Sequence, residues 1–190
     1  MRIIAGKYRS RVLKSPRSSK TAALRPTSDR LRETLFNILG PAVEGAVFVD
    51  AYAGTGAVGI EALSRGAREV IFLEKDPAAV ALIRRNLEAL GIQSGVEILA
   101  VDAARGLELL AARRAHAHFV FLDPPYADKE EYERALDILD VSPLLTPEGR
   151  VIVEHSRKQD LPEQLESLER VRVVEQGDAA LSFYRLALAA

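Results

Sequence analysis

The sequence predicts one α/β domain with a mostly parallel sheet, on three observations. After Pro41, short apolar or β-branched runs alternate with segments of helical periodicity, which is typical of βα units. The first of these runs leads into a glycine-rich turn, where folds of this kind bind nucleotides. Apolar residues make up 48% of the 190, enough to bury one substantial core.

The start of the chain has a different character, and we expect residues 1–40 to be a basic extension of a domain that spans residues 41–190. Apolar pairs near its beginning predict a small hairpin. Further along, apolar residues at helical spacing predict a helix that begins after Thr27 or Ser28 and stops at Gly40. The extension is therefore predicted as a hairpin followed by a helix.

The extension also carries most of the positive charge of the chain. It holds ten Lys and Arg against two acidic residues, a local charge of +8, whereas the other 150 residues carry −9. The net charge of −1 hides this asymmetry, which is typical of chains with a nucleic-acid-binding or membrane-facing segment. A solvated arm without a partner is the alternative.

The remaining elements follow from the same patterns in chain order. We expect strands at residues 46–49, 69–73, 96–101, 119–122, 151–153, 170–175 and 180–188. We expect helices that end at Gly66 and Gly91, a third around Leu107 and Leu110, and two more at residues 129–140 and 160–168. Strands and helices thus alternate over most of the domain.

Four consecutive predicted strands run into a carboxylate, namely Asp50, Glu74, Asp102 and Asp123. In an open parallel sheet, ligands bind outside the carboxyl ends of the strands. Each acid alone is equally well explained as a cap of the helix that follows. Together, the four indicate a single binding site at one edge of the sheet.

The glycine-rich turn, residues 54–59, reads GTGAVG, and Glu74 lies twenty residues beyond Gly54. This pattern matches the dinucleotide fingerprint and alone would favour an NAD enzyme. Asp50, however, would repel a pyrophosphate, and it favours a cationic ligand. S-adenosylmethionine (SAM) carries a sulfonium and an ammonium but no phosphate. If the ligand is SAM, Glu74 can accept hydrogen bonds from the ribose hydroxyls, and Asp102 can accept one from the adenine amine.

The fourth carboxylate opens the tetrapeptide Asp123-Pro124-Pro125-Tyr126. The prolines fix φ and remove two backbone donors, which leaves carbonyl oxygens as acceptors. A planar exocyclic amine is a poor nucleophile until acceptors hold its N–H groups, and the Asp123 carboxylate and Pro124 carbonyl can do so. Tyr126 can stack on the ring of a flipped-out base. A polar turn after a strand is the alternative.

These residues resemble the DPPY amino-methyltransferases, and the chain is similar to the RsmD-type bacterial 16S rRNA (guanine-N2)-methyltransferases. The resemblance rests on residues 25–30 (RPTSDR), 32–37 (RETLFN), 50–56 (DAYAGTG), 59–66 (GIEALSRG) and 123–126 (DPPY), supported by residues 2–6 and 182–185. It implies the class I SAM-dependent (Rossmann-like) fold, with seven strands and helices on both faces. It also implies methylation of one guanine N2 in 16S rRNA, within an assembled small subunit or a late intermediate.

The residues and the resemblance together assign roles. The catalytic residues are Asp123, Pro124 and Tyr126, and the cofactor site consists of Asp50, Ala51, Tyr52, Gly54, Gly56, Glu74, Lys75, Asp102, Ala103 and Asp123. The expected RNA-binding residues are Lys7, Arg9, Arg11, Lys14, Arg17, Lys20, Arg25 and Arg30. For Arg25 and Arg30, contact with the SAM carboxylate is the alternative. The pair Ala51-Tyr52 departs from the aliphatic-aromatic pair expected there.

Several other classes are excluded or less well supported. The chain has no cysteine, and His116, His118 and His155 lack metal-ligand spacing, so no disulfide or metal is expected. No apolar window long enough for a membrane span exists, and no signal-like start, so a cytoplasmic location is expected. We also expect a monomer. An adenine-N6 or glutamine-N5 methyltransferase, an NAD-binding oxidoreductase and a non-catalytic RNA-binding module remain as alternatives.

Overall fold

The computed structural model describes residues 1–15 and 29–187, and within them the chain forms five α-helices and seven strands. The helices are α1 (Asp29–Leu39), α2 (Ala57–Ser64), α3 (Pro77–Ala89), α4 (Ala103–Ala112) and α5 (Lys129–Asp140), with a 3-10 helix at Gly40–Val43. The strands are β1 (Val47–Ala51), β2 (Glu69–Leu73), β3 (Val96–Leu99), β4 (Ala117–Leu122), β5 (Leu145–Ser156), β6 (Leu168–Gln176) and β7 (Ala179–Leu186). The predicted caps Thr27 and Ser28 lie outside the described residues.

The strands form a seven-stranded sheet in the order β3-β2-β1-β4-β5-β7-β6. Strand β2 pairs in parallel with both β1 and β3, and β4 pairs in parallel with β5. Strand β7 runs antiparallel to both of its neighbours, β5 and β6. The predicted α/β class with a mostly parallel seven-stranded sheet is confirmed. No helix within the described ranges has the length and apolar content needed to cross a membrane.

The chain divides into two compact units, Met1–Asp102 and Ala103–Ala190. In the first unit every residue of β1 is buried, and in the second most of β4 and the centre of β5 are buried. Strands buried on both faces read as continuous apolar runs, which is why the pattern located them. The boundary expected at residue 40 separates the predicted RNA-binding extension from the predicted methyltransferase domain. It stays a prediction.

The N-terminal segment packs into the first unit. The amide of Ile3 donates to Arg11 O at 3.0 Å, and the amide of Leu13 donates to Met1 O at 3.1 Å. Both apolar side chains are buried, with 2% and 3% exposed. A single antiparallel bridge joins Arg2 to Val12. The predicted hairpin is thus a short loop anchored by its own apolar residues.

Gly6 allows this loop to approach α2 closely. Its φ is +81°, and a Cβ built at this position would lie only 1.8 Å from Ser64 O. The next two amides bind the same helix residue, since Lys7 N donates to Ser64 O at 2.7 Å and Tyr8 N to Ser64 Oγ at 2.9 Å. Any larger residue at position 6 would push the loop off the end of α2.

The buried carboxylate of Glu61, in α2, binds the backbone of the same N-terminal loop. It accepts hydrogen bonds from Ile4 N at 2.8 Å, Ala5 N at 3.0 Å and Arg65 Nε at 2.8 Å. The guanidinium of Arg32, itself fully buried, lies 3.7 Å from it. Arg32 is one of the ten cations of the extension, so the positive charge available at the surface is smaller than the sequence count.

The helix predicted at residues 160–168 does not form, and that prediction was wrong. The segment turns back on itself, since Leu165 N donates to Leu168 O at 2.8 Å and Arg170 N to Glu163 O at 2.8 Å. The apolar residues at helical spacing misled the prediction. Asp140, at the end of α5, instead accepts the backbone amides of residues 166, 167 and 168 at 3.0, 2.7 and 2.8 Å. Those amides are therefore unavailable to a helix.

Replacing Asp140 with alanine is expected to destabilise the protein strongly. The carboxylate is 8% exposed and accepts three amides, and each hydrogen bond to a charged group contributes about 1.5–3 kcal/mol. We expect a loss of about 3 kcal/mol or more in the free energy of unfolding, measured by urea titration. Asp137→Ala on the exposed face of α5 is the control. Equal losses for the two variants would contradict this role.

Candidate active site

The glycine loop in the first unit has an unusual backbone. Between β1 and α2, Tyr52, Gly54 and Gly56 all adopt positive φ, at 67°, 54° and 76°. For tyrosine this conformation costs about 1–2 kcal/mol, and strain of this kind concentrates where a ligand is held. A Cβ at Gly56 would lie 3.1 Å from Ile83 Cγ1, so the loop also sits tightly on α3. Both glycines are required by geometry.

Glu74, directly after β2, fixes the shape of this loop. Its Oε2 accepts Gly54 N at 2.7 Å and its Oε1 accepts Asp76 N at 2.8 Å. The side chain is half-buried, and a carboxylate oxygen has two lone pairs, so each oxygen can accept one more hydrogen bond. Glu74 therefore both shapes the glycine loop and can bind a pair of hydroxyl groups.

Asp50 lies beneath the loop. It is 2% exposed, and its Oδ2 accepts Gly59 N at 2.8 Å. Burial raises the pKa of Asp50 to about 8, the Gly59 amide opposes this, and the nearby charge of Glu74 adds to it. Without a bound cation, the Asp50 carboxyl is therefore mostly protonated at neutral pH. A cation bound above the loop would favour its ionised form.

The raised pKa of Asp50 predicts a pH-dependent stability. The folded pKa of Asp50 lies above its unfolded value of 3.8. Its contribution to the free energy of unfolding is therefore complete below pH 4 and is lost as the pH rises toward 8. Urea titrations should show the wild type losing at most about 1.4 kcal/mol per pH unit relative to Asp50→Asn between pH 5 and 8. Parallel pH curves for the two proteins would contradict the raised pKa.

The remaining predicted cofactor residues lie at or just after the ends of strands β1, β2 and β3. Ala51 and Ala103 are buried, Asp102 is half-buried and Lys75 is exposed. Asp102 and Ala103 stand at the junction of β3 with α4, where the predicted site places them. The roles of these four residues in cofactor binding stay predictions.

The tetrapeptide in the second unit connects β4 to α5. Asp123 and Tyr126 are half-buried, Pro124 is buried and Pro125 is exposed. Pro125 O accepts Asp128 N at 2.9 Å, which closes a turn. Pro124 O accepts the buried hydroxyl of Tyr132 at 3.2 Å, so one lone pair of this predicted acceptor is already used.

A second carboxylate, Glu154 of β5, lies in the same cluster. The hydroxyl of Tyr126 donates to Glu154 Oε1 at 3.1 Å. Because Leu122 pairs with Val153 in parallel register, Asp123, directly after β4, is next to the register position of Glu154 on β5. Burial and then the charges of Glu154 and Asp123 raise the pKa of Tyr126 well above its usual value, so it remains a protonated donor.

Comparison with known proteins identifies the family. A family model described as "Conserved hypothetical protein 95" matches residues 1–185. Ribosomal RNA small subunit methyltransferase D of Haemophilus influenzae is 38% identical over 163 residues, which cover 85% of this chain and 81% of that protein. The chain belongs to the RsmD family. The resemblance inferred from the sequence is thereby confirmed.

Two further RsmD-family comparisons extend over nearly the whole chain. YlbH of Bacillus subtilis (strain 168) is 34% identical over 185 residues, which cover 97% of this chain and 98% of that protein. The solved structure of yhhF from Escherichia coli is 32% identical with a TM-score of 0.84, and the match covers 98% and 97% of the two chains. The N-terminal segment and the terminal strands are therefore shared with these proteins.

Sequence reasoning missed three residues of this RsmD-family chain. Glu154 follows the predicted strand 151–153, and the strand-end rule that selected the other four acids would also have selected it. Tyr132 gave no signal, because its contact with Pro124 depends on how α5 packs. Asn86, 1% exposed, stands among the apolar residues of α3, and such a buried amide is a recognisable signal.

Asn86 connects the N-terminal segment to the glycine loop. Its Nδ2 donates to Lys14 O and to Thr55 O, both at 3.2 Å, and its Oδ1 accepts Lys14 N at 2.8 Å. Lys14 of the basic extension and Thr55 of the glycine loop are thus hydrogen-bonded to one buried side chain.

Five of the predicted RNA-binding residues are exposed. They are Lys7, Arg9, Arg11, Lys14 and Arg30. The other three, Arg17, Lys20 and Arg25, lie outside the described residues. Arg11 Nη2 lies 3.5 Å from Ala89 O at the end of α3, so this part of the basic segment follows the surface of the first unit.

No group of three or more potential metal ligands occurs within residues 1–15 and 29–187. His155 is a core residue, since its Nδ1 lies 2.9 Å from Ser156 O and its Nε2 2.8 Å from Ser182 Oγ. Burial lowers its pKa, which favours the neutral ring at physiological pH.

Proposed function

We propose that this RsmD-family chain transfers a methyl group from SAM to the N2 amine of one guanine in 16S rRNA. The observation that carries the proposal is the Asp123–Tyr126 loop, whose acceptor groups and aromatic ring are held together in the second unit. The name of the Haemophilus influenzae relative, which specifies ribosomal RNA of the small subunit, supports the class of substrate. The substrate form that we propose is an assembled small subunit or a late intermediate, bound by a monomer.

The residues of the first unit fit SAM. The half-buried carboxylate of Glu74 can accept two ribose hydroxyls while it holds Gly54 and Asp76. The glycine loop exposes main chain to the methionine part of the ligand. When bound, SAM supplies a methyl carbon on a sulfonium, and its positive charge suits the buried Asp50. A pyrophosphate would be repelled by Glu74 and, unlike a cation, would not stabilise the ionised form of Asp50, which disfavours NAD.

The residues of the second unit activate the amine. The Asp123 carboxylate and the free lone pair of Pro124 O accept the two N–H groups, while the ring of Tyr126 stacks on the guanine. With SAM bound, the amine nitrogen would form the new N–C bond as the C–S bond breaks, and the proton that the nitrogen then loses would pass to the Asp123 carboxylate and from there to solvent. Positioning provides most of the acceleration in such an in-line transfer. Extruding the guanine costs a few kcal/mol, which stacking on Tyr126 offsets.

The exposed basic residues are proposed to bind rRNA phosphates. Changing Lys7, Arg9 and Lys14 together to glutamine should weaken RNA binding and lower the slope of log affinity against log salt by about 2–3. Affinity for SAM should stay the same. Lys129→Gln with Arg134→Gln and Lys158→Gln, all at exposed positions of the second unit, is the charge-matched control. A fall in SAM affinity, or an unchanged salt slope, would contradict this division of roles.

The proposed activity is tested by incubating small ribosomal subunits with methyl-labelled SAM and analysing the nucleosides. We expect label on N2-methylguanosine at a single position of 16S rRNA. Label on adenine, or on glutamine of a protein, would overturn the proposal in favour of another amino-methyltransferase. Calorimetry with NAD and with SAM tests the cofactor independently, and a preference for NAD would overturn the assignment of the first unit.

A further inference from the structure

The acceptor loop is anchored to the sheet at two points. Tyr132 holds it at Pro124 O, and Glu154 holds it at the hydroxyl of Tyr126. The strand that carries Glu154 is paired on both sides, with β4 and with β7, where Glu154 is opposite Leu181. The group that accepts the Tyr126 hydroxyl is therefore part of a rigid element.

We propose that Glu154 is a positioning residue for methyl transfer, which fixes the ring of Tyr126 in the orientation that receives the target base. The proposal rests on the function proposed above. Glu154 is 5% exposed, so it acts through Tyr126 rather than by touching the base. Two torsions set the place of an aromatic ring, and the Tyr126 hydroxyl oxygen lies on the χ2 axis, so its hydrogen bond restricts χ1 and thereby fixes where the ring lies.

The cost of burying Glu154 supports a functional role. The residue follows the buried run Val151–Val153, where an apolar side chain would satisfy packing at no desolvation cost. A buried carboxylate is retained at such a position when its hydrogen bonds are needed, and residues that violate local preferences concentrate at functional sites. Asp123, directly after the adjacent strand β4, adds a second negative charge to the cluster, which makes the burial of a charged Glu154 still less favourable.

A set of four variants tests the proposal on small subunits. In Glu154→Leu the acceptor is lost, and in Tyr126→Phe the hydroxyl is lost while the ring remains. Each should lower kcat about tenfold, with KM for the subunit and Kd for SAM changed less than twofold. The double variant should be no slower than the slower single variant. Glu154→Gln should recover most of the lost rate, because its amide oxygen can accept the same hydroxyl.

Three outcomes would overturn the proposal. These are a wild-type kcat in Glu154→Leu or Tyr126→Phe, single effects that multiply in the double variant, and a Glu154→Gln variant as slow as Glu154→Leu. The melting temperature of each variant identifies any loss of fold. Failure of the proposed function can be told apart from failure of this role for Glu154. If label appears on adenine or glutamine, the rates of the same four variants can still be measured on that substrate.

A measurement without substrate tests the same contact. NMR of tyrosine-labelled protein reports the mobility of the Tyr126 ring, whose signal is assigned by its absence in Tyr126→Phe. We expect the ring to be restricted in the wild type and in Glu154→Gln and mobile in Glu154→Leu. Equal mobility in all three proteins would overturn the proposal even if no methyl transfer were detected.

Discussion

Replacing Asp123 with alanine is expected to lower the rate of methyl transfer by about 10²–10⁴-fold. In the proposed mechanism the carboxylate is the charged acceptor for the target amine, and its loss would leave the amine lone pair delocalised into the base. The glycine loop and Glu74 lie in the first unit, so affinity for SAM should change only a few-fold. Rapid-quench assays with labelled SAM measure the rate, and calorimetry measures the affinity.

The control for this variant is Asp137→Ala, which removes the same charge from an exposed position of α5. It should retain the wild-type rate. If Asp123→Ala keeps more than a tenth of the wild-type rate, the amine is activated by another group and the proposed mechanism is wrong. If it loses RNA binding instead, the carboxylate stabilises the fold rather than the reaction.

Replacing Glu61 with alanine is expected to have the largest effect on stability. The carboxylate is fully buried and binds two backbone amides and Arg65, with Arg32 close by. Its removal leaves the buried guanidinium of Arg32 without this opposite charge, and breaking a buried ion pair in this way costs about 3–5 kcal/mol. Urea titration should show this loss in the free energy of unfolding.

Hydrogen exchange tests the local part of the same prediction. In Glu61→Ala the amides of Ile4 and Ala5 should exchange much faster, because their acceptor is gone. Glu88→Ala, at an exposed position of α3, should leave both stability and exchange unchanged. A Glu61→Ala protein as stable as Glu88→Ala would show that the buried cluster does not hold the N-terminal segment.

Local patterns were sufficient to predict most of the fold. The cap of α3 is an example, since Asp76 accepts Ala78 N at 2.7 Å and Pro77 begins the helix, as the dipeptide predicts. The helix expected at residues 160–168 failed because its periodicity was local, whereas the competitor, Asp140, is distant in sequence. Helix propensity within residues 160–168 gives no information about a carboxylate on α5 that binds the amides of this segment.

The candidate site was predicted to a similar extent and for a similar reason. The glycine loop and the Asp123–Tyr126 tetrapeptide are contiguous motifs, and the sequence displays them directly. The contacts of Glu154 with Tyr126 and of Asn86 with Thr55 join residues 28 and 31 positions apart. Such pairs depend on strand register and helix packing, which a single sequence does not contain.

The anchored N-terminal loop has a consequence for the energetics of association. A basic tail without structure must lose backbone entropy, about 1–2 kcal/mol for each residue that it orders on a partner. In residues 1–13, the buried side chains of Ile3 and Leu13 and the close approach of Gly6 to Ser64 fix the backbone during folding. If Lys7 and Arg9 bind rRNA as proposed, they do so as parts of a preformed surface, and binding there should show a small conformational entropy change and fast association.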